Sequence, residues 1–149
     1  MLSLRKLVLP LAMILSMGGL AGCATSGPTF QEMQSQISAL PQGEGRIIIY
    51  RSDSALGAGV QPAIKVNGVK VGDSVPNGFI YIDRPAGNYE ISTSTEVKRT
   101  LSLTLADQET KYVRTRVTMG FLVGHVSPEL VDPVKGAADI KTLHHLEGN

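Results

Sequence analysis

Short apolar segments separated by turn residues recur along the chain from Arg46 onwards. The run Arg46–Arg51 is apolar between charged ends, which indicates a strand buried on both faces. Leu101–Leu105 and Thr110–Met119 alternate apolar and polar side chains, so each predicts a strand with one buried face. Further strands are predicted over Phe79–Asp83, Tyr89–Ser94 and Val126–Val131. This spacing, without helices between the segments, predicts a mainly β protein, an antiparallel sandwich of about seven to eight strands.

The segment 63–72 predicts a β-hairpin. Its central pair Asn67-Gly68 is preferred in two-residue type I′ turns, because both positions adopt positive φ. The turn also fixes which residues face each other across the hairpin. The expected pairs are Val66 with Val69, Lys65 with Lys70, and Ile64 with Val71.

Helical signals flank the strand-rich region. Thr29 and Glu32 fit a capping box, and an apolar stripe at helical spacing follows, which predicts an amphipathic helix over residues 29–40. The stripe consists of Phe30, Met33, Ile37 and Leu40. The helix carries no Lys or Arg, so we expect it to dock on the sandwich rather than on a membrane surface or partner. Asp132-Pro133 is suited to the start of a weak C-terminal helix that reaches Leu146.

Several turn motifs carry a family resemblance. They are Tyr50-Arg51, Gly57-x-Gly59, Val66-Asn67-Gly68-x-x-Val71-Gly72, Asn77-Gly78-Phe79 and Pro85-x-Gly87. The sequence between about Gly45 and Leu143 resembles the bacterial lipoprotein family called domain of unknown function 2846. Its middle part is also similar to the PEGA β-sandwich repeat of surface-associated proteins. The resemblance implies an immunoglobulin-like or PEGA-like sandwich, and it brings no catalytic residues.

The N-terminus has the layout of a secretory signal. Arg5 and Lys6 precede an uncharged apolar run, and small residues follow up to Cys23, the only cysteine of the sequence. The ending Leu20-Ala21-Gly22-Cys23 resembles the bacterial lipobox. That resemblance implies cleavage between Gly22 and Cys23, a lipid on the Cys23 sulfur and usually acylation of the new amine. Ala24 and Thr25, with no Asp, resemble the export signal for the outer membrane.

The alternative for this segment is an uncleaved membrane helix. Residues 7–24 carry no charge and just reach the length of a spanning segment. Pro10 and several glycines interrupt the segment, and its strongly apolar part is short, so we favour a cleaved signal peptide over residues 1–22. Residues 23–28 then form the lipidated cysteine and a short tether, and residues 45–146 form the sandwich.

The composition after cleavage excludes some function classes. Loss of Arg5 and Lys6 leaves 12 Lys and Arg against 13 Asp and Glu. This near-neutral balance gives no reason to expect a nucleic acid partner. With Cys23 lipidated, no cysteine remains for a disulfide within the chain, so the apolar core must stabilise the domain.

Few catalytic or metal-binding patterns occur in the sequence. The sequence has no Gly-x-Ser-x-Gly elbow, no His-Glu-x-x-His motif and no phosphate-binding Gly-Lys-Ser. His144 and His145 are adjacent and would point about 100° apart on a helix, so we expect no metal site from them. His125 follows a glycine in a predicted loop and is a candidate general base, but no partner is identifiable by spacing.

Basic side chains on two predicted strand faces form the remaining candidate site. Period-two alternation places Arg114 and Arg116 on one face, and the hairpin sets Lys65 against Lys70. Such cations bind carboxylates or phosphates, Arg in a bidentate manner. The alternative is a solvated sheet face whose charges are neutralised by Glu90 or Glu96. If the anion does not bind there, the 52–61 loop and the surroundings of His125 are the next candidates.

These observations predict a lipid-anchored lipoprotein of the outer membrane that faces the periplasm. We expect a non-catalytic binding module without a cofactor. Its partners would be the membrane, through Cys23, and an envelope protein, a glycan or an anionic headgroup. The alternatives are an envelope hydrolase that uses His125 with an acidic residue, and a purely structural or stress-related lipoprotein.

The lipid anchor gives the first testable prediction. Cys23→Ser removes the thiol that would accept the lipid, so the precursor should stay unlipidated and should not be cut before residue 23. Mass spectrometry of wild type and variant checks both expectations. An absence of acyl mass on wild-type Cys23, or cleavage at another position, would contradict the anchor.

Overall fold

The computed structural model describes residues 27–148, so the predicted signal peptide, Gly22 and Cys23 lie outside the described residues. These residues form two β-sheets and two helices. The strands are β1 Glu44–Arg51, β2 Ala63–Val66, β3 Val69–Asp73, β4 Gly78–Pro85, β5 Gly87–Ser94, β6 Lys98–Leu105, β7 Thr110–Thr118, β8 His125–Val131 and β9 His144–His145. The helices are α1 Phe30–Met33 and α2 Pro133–Asp139. The predicted mainly β sandwich with an N-terminal and a C-terminal helix is confirmed.

One sheet has the order β8-β7-β1-β4-β9 and the other has the order β3-β2-β5-β6. Most pairs are antiparallel, as predicted. Two pairings are parallel: β1 with β7, which places Tyr50 opposite Arg114, and β4 with β9. The parallel contact between β1 and β7 joins segments far apart in sequence, and it inserts β1 between β7 and β4.

Strand β1 is buried on both faces, as its apolar run predicts. Ile47 and Ile49 lie in the core between the two sheets, whereas Ile48 and Tyr50 point to the outer side of the five-stranded sheet. The inter-sheet core also contains Ile64, Val66, Val71, Ile80, Ile91, Leu103, Leu105 and Val113. Aliphatic side chains therefore fill the space between the sheets.

A second apolar cluster covers the outer side of the five-stranded sheet. Ile48, Tyr50 and Phe79 of the sheet are packed with residues from both ends of the described chain. Those residues are Phe30, Met33, Ile37, Ile140 and Leu143. The Phe30 and Phe79 rings meet edge to face, with centroids 5.5 Å apart. Segments near both ends of the described chain therefore pack on this face of the sandwich.

The N-terminal helix is shorter than predicted. The capping box forms, because Thr29 accepts from the Glu32 backbone N–H and Glu32 accepts from the Thr29 backbone. The helix ends at Met33, not at residue 40, and Ile37 reaches the apolar cluster from beyond its end. The predicted docking on the sandwich is therefore correct, whereas the predicted length is wrong.

The C-terminal helix begins as predicted and ends early. The Asp132 side chain accepts from the backbone N–H groups of Val134 and Lys135, and Pro133 is the first helical residue. The helix ends at Asp139, seven residues before the predicted Leu146, because the chain turns back and β9 pairs with the start of β4. Neither helix within residues 27–148 has the length and hydrophobicity that crossing a bilayer requires.

The hairpin of β2 and β3 confirms most of the predicted register. Asn67 and Gly68 adopt φ of 49° and 81°, as the type I′ pair requires, and Lys65 pairs with Lys70. A β-bulge between Ile64 and Lys65 then shifts the register, so Ile64 faces Gly72. The predicted pairing of Ile64 with Val71 is therefore wrong, because a bulge adds one residue to one strand only.

The alternation of β6 gives a test of the core. Leu103 is buried between the sheets, whereas Thr104 is exposed and donates to Asn88 Oδ1. Leu103→Ala should therefore destabilise the protein by roughly 2–5 kcal/mol. Thr104→Ala should cost well under about 1 kcal/mol, as exposed substitutions usually do.

Denaturant unfolding of the two variants compares these costs. Equal losses of unfolding free energy would contradict the assignment of the two faces, because a slip of one residue exchanges them.

Candidate functional site

Several loops meet at one end of the sandwich, which we call the Arg51 end. Strand β1 finishes there at Arg51, opposite the beginning of β4 at Gly78. The β7–β8 turn lies at the same end, because β7 runs parallel to β1 and pairs with β8 up to Thr118 and His125. The four-stranded sheet contributes the loop between β5 and β6, which contacts the β7–β8 turn through Glu96.

An open cleft of ≈ 350 Å³ lies at this end, and we call it the arginine cleft. Its lining comes from the end of β7, the end of β1 and the loop that follows β1. The lining residues are Arg51, Ser52, Ser54, Leu56, Arg114, Thr115, Arg116 and Val117. Three arginines and several small hydroxyl residues therefore contribute to the lining of the cleft.

Arg51 is the buried cation of the cleft, with 2% of its surface exposed. Its guanidinium donates to three backbone carbonyls, those of Gly57 and Val60 at 2.7 Å and Ser74 at 3.0 Å. These bonds hold the loop after β1 in place. No carboxylate within residues 27–148 forms an ion pair with Arg51. Burial without such a partner lowers the pKa of Arg51.

The two predicted arginines differ in their partners. Arg114 Nε donates to Glu129 Oε1 at 2.6 Å, and this contact raises the pKa of Arg114. The neutralising carboxylate is thus Glu129 of the neighbouring strand β8, not Glu90 or Glu96. Arg116 is exposed, and its side chain makes no ion pair or hydrogen bond within residues 27–148. One of the three guanidinium groups is therefore matched by a carboxylate.

The lysines of the predicted basic group lie elsewhere. Lys65 and Lys70 are in β2 and β3 of the four-stranded sheet, whereas Arg114 and Arg116 are in β7 of the other sheet. Lys70 forms an ion pair with Asp73 at 3.0 Å. Lys65 lines a separate depression of ≈ 500 Å³ on its own sheet. The structure therefore divides the four predicted cations between the two sheets.

His125 has an acidic neighbour that the spacing did not identify. Its Nε2 lies 3.0 Å from Glu96 Oε2, and its Nδ1 lies 3.1 Å from an Arg99 guanidinium nitrogen. Glu96 Oε1 also accepts from the backbone N–H groups of Leu122 and Val123, at 2.7 and 2.6 Å. Glu96 therefore fastens the β7–β8 turn to the β5–β6 loop.

The other two histidines belong to the packing of the C-terminus. His144 Nδ1 donates to the carbonyl of Gly27 at 2.6 Å. The His145 ring lies 5.4 Å from Phe79 and 5.5 Å from Tyr81, between centroids, and burial lowers the pKa of His145. In the described part of the chain, no three His, Cys, Asp or Glu side chains are grouped so that they could hold a metal ion.

Sequence reasoning missed the parts of the site that depend on long-range contacts. The sequence shows Arg51 as the charge that ends an apolar run. It does not show which residues of β7 lie next to Arg51. Glu129 lies 15 residues after Arg114, and only the pairing of β7 with β8 brings them together. Glu96 and His125 lie 29 residues apart in loops that no motif connects.

The sequence of this chain is similar to those of other proteins. Residues 41–127, more than half of the chain, match the family described as "Protein of unknown function (DUF2846)". The chain belongs to this family, which confirms the resemblance of its turn motifs. A Haemophilus influenzae protein named "Uncharacterized protein" is 26% identical over 129 residues, which cover 84% of this chain and 76% of that protein. No solved structure matches the chain.

The contacts of Glu96 predict a pH dependence. Hydrogen bonding from the Val123 backbone, and further from His125 and the Leu122 backbone, lowers the pKa of Glu96 below its ordinary 4.5. A carboxylate with a depressed folded-state pKa stabilises the fold at higher pH, and this contribution disappears as the pH falls through the folded-state pKa. We therefore expect the Leu122 and Val123 amide signals to titrate with a midpoint below pH 4.5.

An NMR titration of the amide signals measures this midpoint. In Glu96→Gln the transition should be absent, whereas Glu90→Gln should retain it, because Glu90 pairs with Lys98 and does not contact the turn. A midpoint at or above pH 4.5 in the wild type, or a transition that survives in Glu96→Gln, would contradict this role of Glu96.

Proposed function

We propose that this protein is a lipid-anchored lipoprotein of the outer membrane that faces the periplasm and binds an anionic ligand in the arginine cleft. The anchor part of the proposal rests on Cys23 and the residues before it. The binding part rests on one observation: three arginines line the cleft, and of these only Arg114 is matched by a carboxylate within residues 27–148. The ligand class is a carboxylate or phosphate carried by an envelope protein, a glycan or a lipid headgroup.

Three properties of the cleft support anion binding. Arg116 offers an exposed guanidinium without a partner among the described residues, and a guanidinium binds carboxylate or phosphate with two parallel hydrogen bonds. Ser52 and Ser54 also line the cleft and carry hydroxyl groups. Arg51 adds a buried positive charge, which acts more strongly than an exposed one because water screens it less.

The acidic residues near the cleft do not remove this excess of charge. Glu129 is engaged by Arg114. Asp53 lies between the two serines in sequence, but its exposed side chain is not part of the lining. A ligand carboxylate or phosphate would therefore meet Arg116 without displacing a carboxylate of the described chain.

The contact between His125 and Glu96 favours a second candidate, an envelope hydrolase. Such an enzyme needs a nucleophile or an activated water beside the histidine. His125 is not part of the arginine cleft, and Glu96 already accepts from two backbone N–H groups. These contacts support a structural role for the pair and a non-catalytic protein. Hydrolysis of an envelope ester or amide that is lost in His125→Ala would favour the hydrolase instead.

The single substitution Arg116→Gln tests the binding cleft. Because a hydrogen bond to a charged group contributes about 1.5–3 kcal/mol, we expect affinity for inorganic phosphate or a succinate probe to fall about tenfold or more. The unfolding free energy should change by less than about 0.5 kcal/mol, since the side chain is exposed. Binding should also weaken as salt rises, because charges are screened over about 8–10 Å at physiological ionic strength.

Arg84→Gln is the matched control, because Arg84 is exposed and lies outside the cleft. Amide shifts of Ser52 and Ser54 report binding during the titration. If both variants bind as the wild type does, and if binding survives high salt, the cleft is ordinary solvated surface. If the wild type binds neither probe, a purely structural lipoprotein is the better description.

A further inference from the structure

The turn between β7 and β8 displays large apolar side chains to solvent. Met119, Phe121 and Leu122 expose 82%, 94% and 84% of their surface, and Val123 exposes 44%. A single exposed apolar residue needs no explanation, but several together on one turn indicate an interaction surface. We call residues 119–123 the apolar turn.

The backbone of the apolar turn is held by specific contacts. Glu96 accepts hydrogen bonds from the backbone N–H groups of Leu122 and Val123. A side chain at Gly120 would collide with the Val123 carbonyl oxygen, so the tight path of the turn requires glycine there. The apolar side chains therefore project from a supported turn, and this preformed backbone reduces the conformational freedom that the turn would lose on binding.

The apolar turn projects beyond the rest of the five-stranded sheet. Arg114 of β7 is level with Tyr50, one residue before the end of β1, and β7 continues to Thr118. Because Thr115 is level with Arg51, β7 runs three residues, or about 10 Å, beyond the end of β1. The apolar turn is therefore a protruding apolar surface at the Arg51 end of the sandwich. Val97, in the loop that holds it, is also exposed to 45%.

The N-terminus of the described chain lies near the same end, and the antiparallel bridge between Thr29 and His144 directs the chain from Thr29 back to Gly27 away from that end. His144 Nδ1 binds the Gly27 carbonyl, and His144 pairs with Gly78, which lies opposite Arg51. Strands β9 and β7 are three positions apart in the sheet, which corresponds to about 14 Å. Cys23 lies only four residues before Gly27, and four extended residues span at most about 14 Å.

We propose that the apolar turn inserts into the membrane to which the N-terminal segment attaches the chain. This inference rests on the membrane-attachment part of the proposed function, and it holds whether a lipid or an uncleaved apolar segment provides the attachment. Phe121 and Leu122 would enter the boundary between headgroups and acyl chains, where apolar side chains gain most from leaving water. The exposed cations Arg99 and Arg116 belong to the strands beside the turn, and they suit anionic headgroups; Lys98 is also exposed but is paired with Glu90.

Tryptophan fluorescence in reconstituted vesicles tests the insertion. The sequence has no Trp, so Phe121→Trp places one reporter in the apolar turn at an exposed position. The full-length mature protein is reconstituted into vesicles of phosphatidylethanolamine and phosphatidylglycerol with brominated acyl chains. We expect a blue-shifted emission and strong quenching by the bromine atoms, relative to vesicles with unmodified lipid. Leu122→Trp provides a second reporter, which should give the same result.

Val134→Trp is the matched control. Val134 is exposed to 81%, but it lies at the beginning of α2, away from the apolar turn. Its emission should stay red and should be quenched several-fold less. Equal quenching at both sites would overturn the inference, because it would mean that the outer sheet face and not the turn meets the bilayer.

Flotation of the same samples separates this inference from the proposed function. If the protein floats with the vesicles and the turn reporters are neither shifted nor quenched, membrane attachment stands and insertion of the turn is wrong. A blue shift without quenching by brominated lipid would indicate that a second copy or another protein covers the turn, and it would also overturn the inference. If the wild type does not float, both the attachment and the insertion are wrong.

Discussion

The burial of both faces of β1 constrains the rest of this structure. Ile47 and Ile49 need the four-stranded sheet as a cover, whereas Ile48 and Tyr50 need a second cover on the opposite side. Both ends of the described chain provide that second cover, through α1 and the segment after α2. The Tyr50 hydroxyl group completes it, because it donates to Asp139 at the end of α2 at 2.8 Å. The position of Gly27 near the Arg51 end is therefore a consequence of how the central strand is buried.

Local patterns predicted most of the strands, since alternation and turn residues act over a few neighbouring positions. Local patterns were less successful where tertiary contacts determine the end of a helix or the register of a strand pair. The stripe of Phe30, Met33 and Ile37 has helical spacing, but packing against the sheet holds Ile37 after the helix has ended at Met33. The bulge beside Ile64 shifts a hairpin whose turn was predicted correctly. Arg114 and Arg116 were identified as a candidate pair, whereas Arg51 joined them only through the parallel pairing of β1 with β7.

Arg46 and Arg51 flank the apolar run of β1, and they are in different electrostatic environments. Arg46 donates to both carboxylate oxygens of Asp83, at 2.7 and 2.8 Å, and lies over the Tyr81 ring. Arg51 donates only to backbone carbonyls. Carbonyls satisfy its hydrogen bonds but do not cancel its charge, and burial of an unmatched charge is costly. A ligand anion in the arginine cleft would offset part of that cost. This gain in electrostatic energy is the physical reason to favour the cleft over the other basic surfaces.

In the proposed arrangement, the membrane attachment, the apolar turn and the arginine cleft lie at one end of the sandwich. An attachment through only a few residues would limit the distance of the domain from the bilayer more than its orientation. The apolar turn follows β7, which lies about 14 Å across the sheet from β9. A second contact there would fix the tilt of the sandwich, because two separated points remove a rotation that one point allows. The cleft would then face the headgroup region, where the local concentration of phosphate groups is high. An anionic group at the membrane surface therefore fits the proposed position of the cleft better than a ligand that must diffuse from the periplasm.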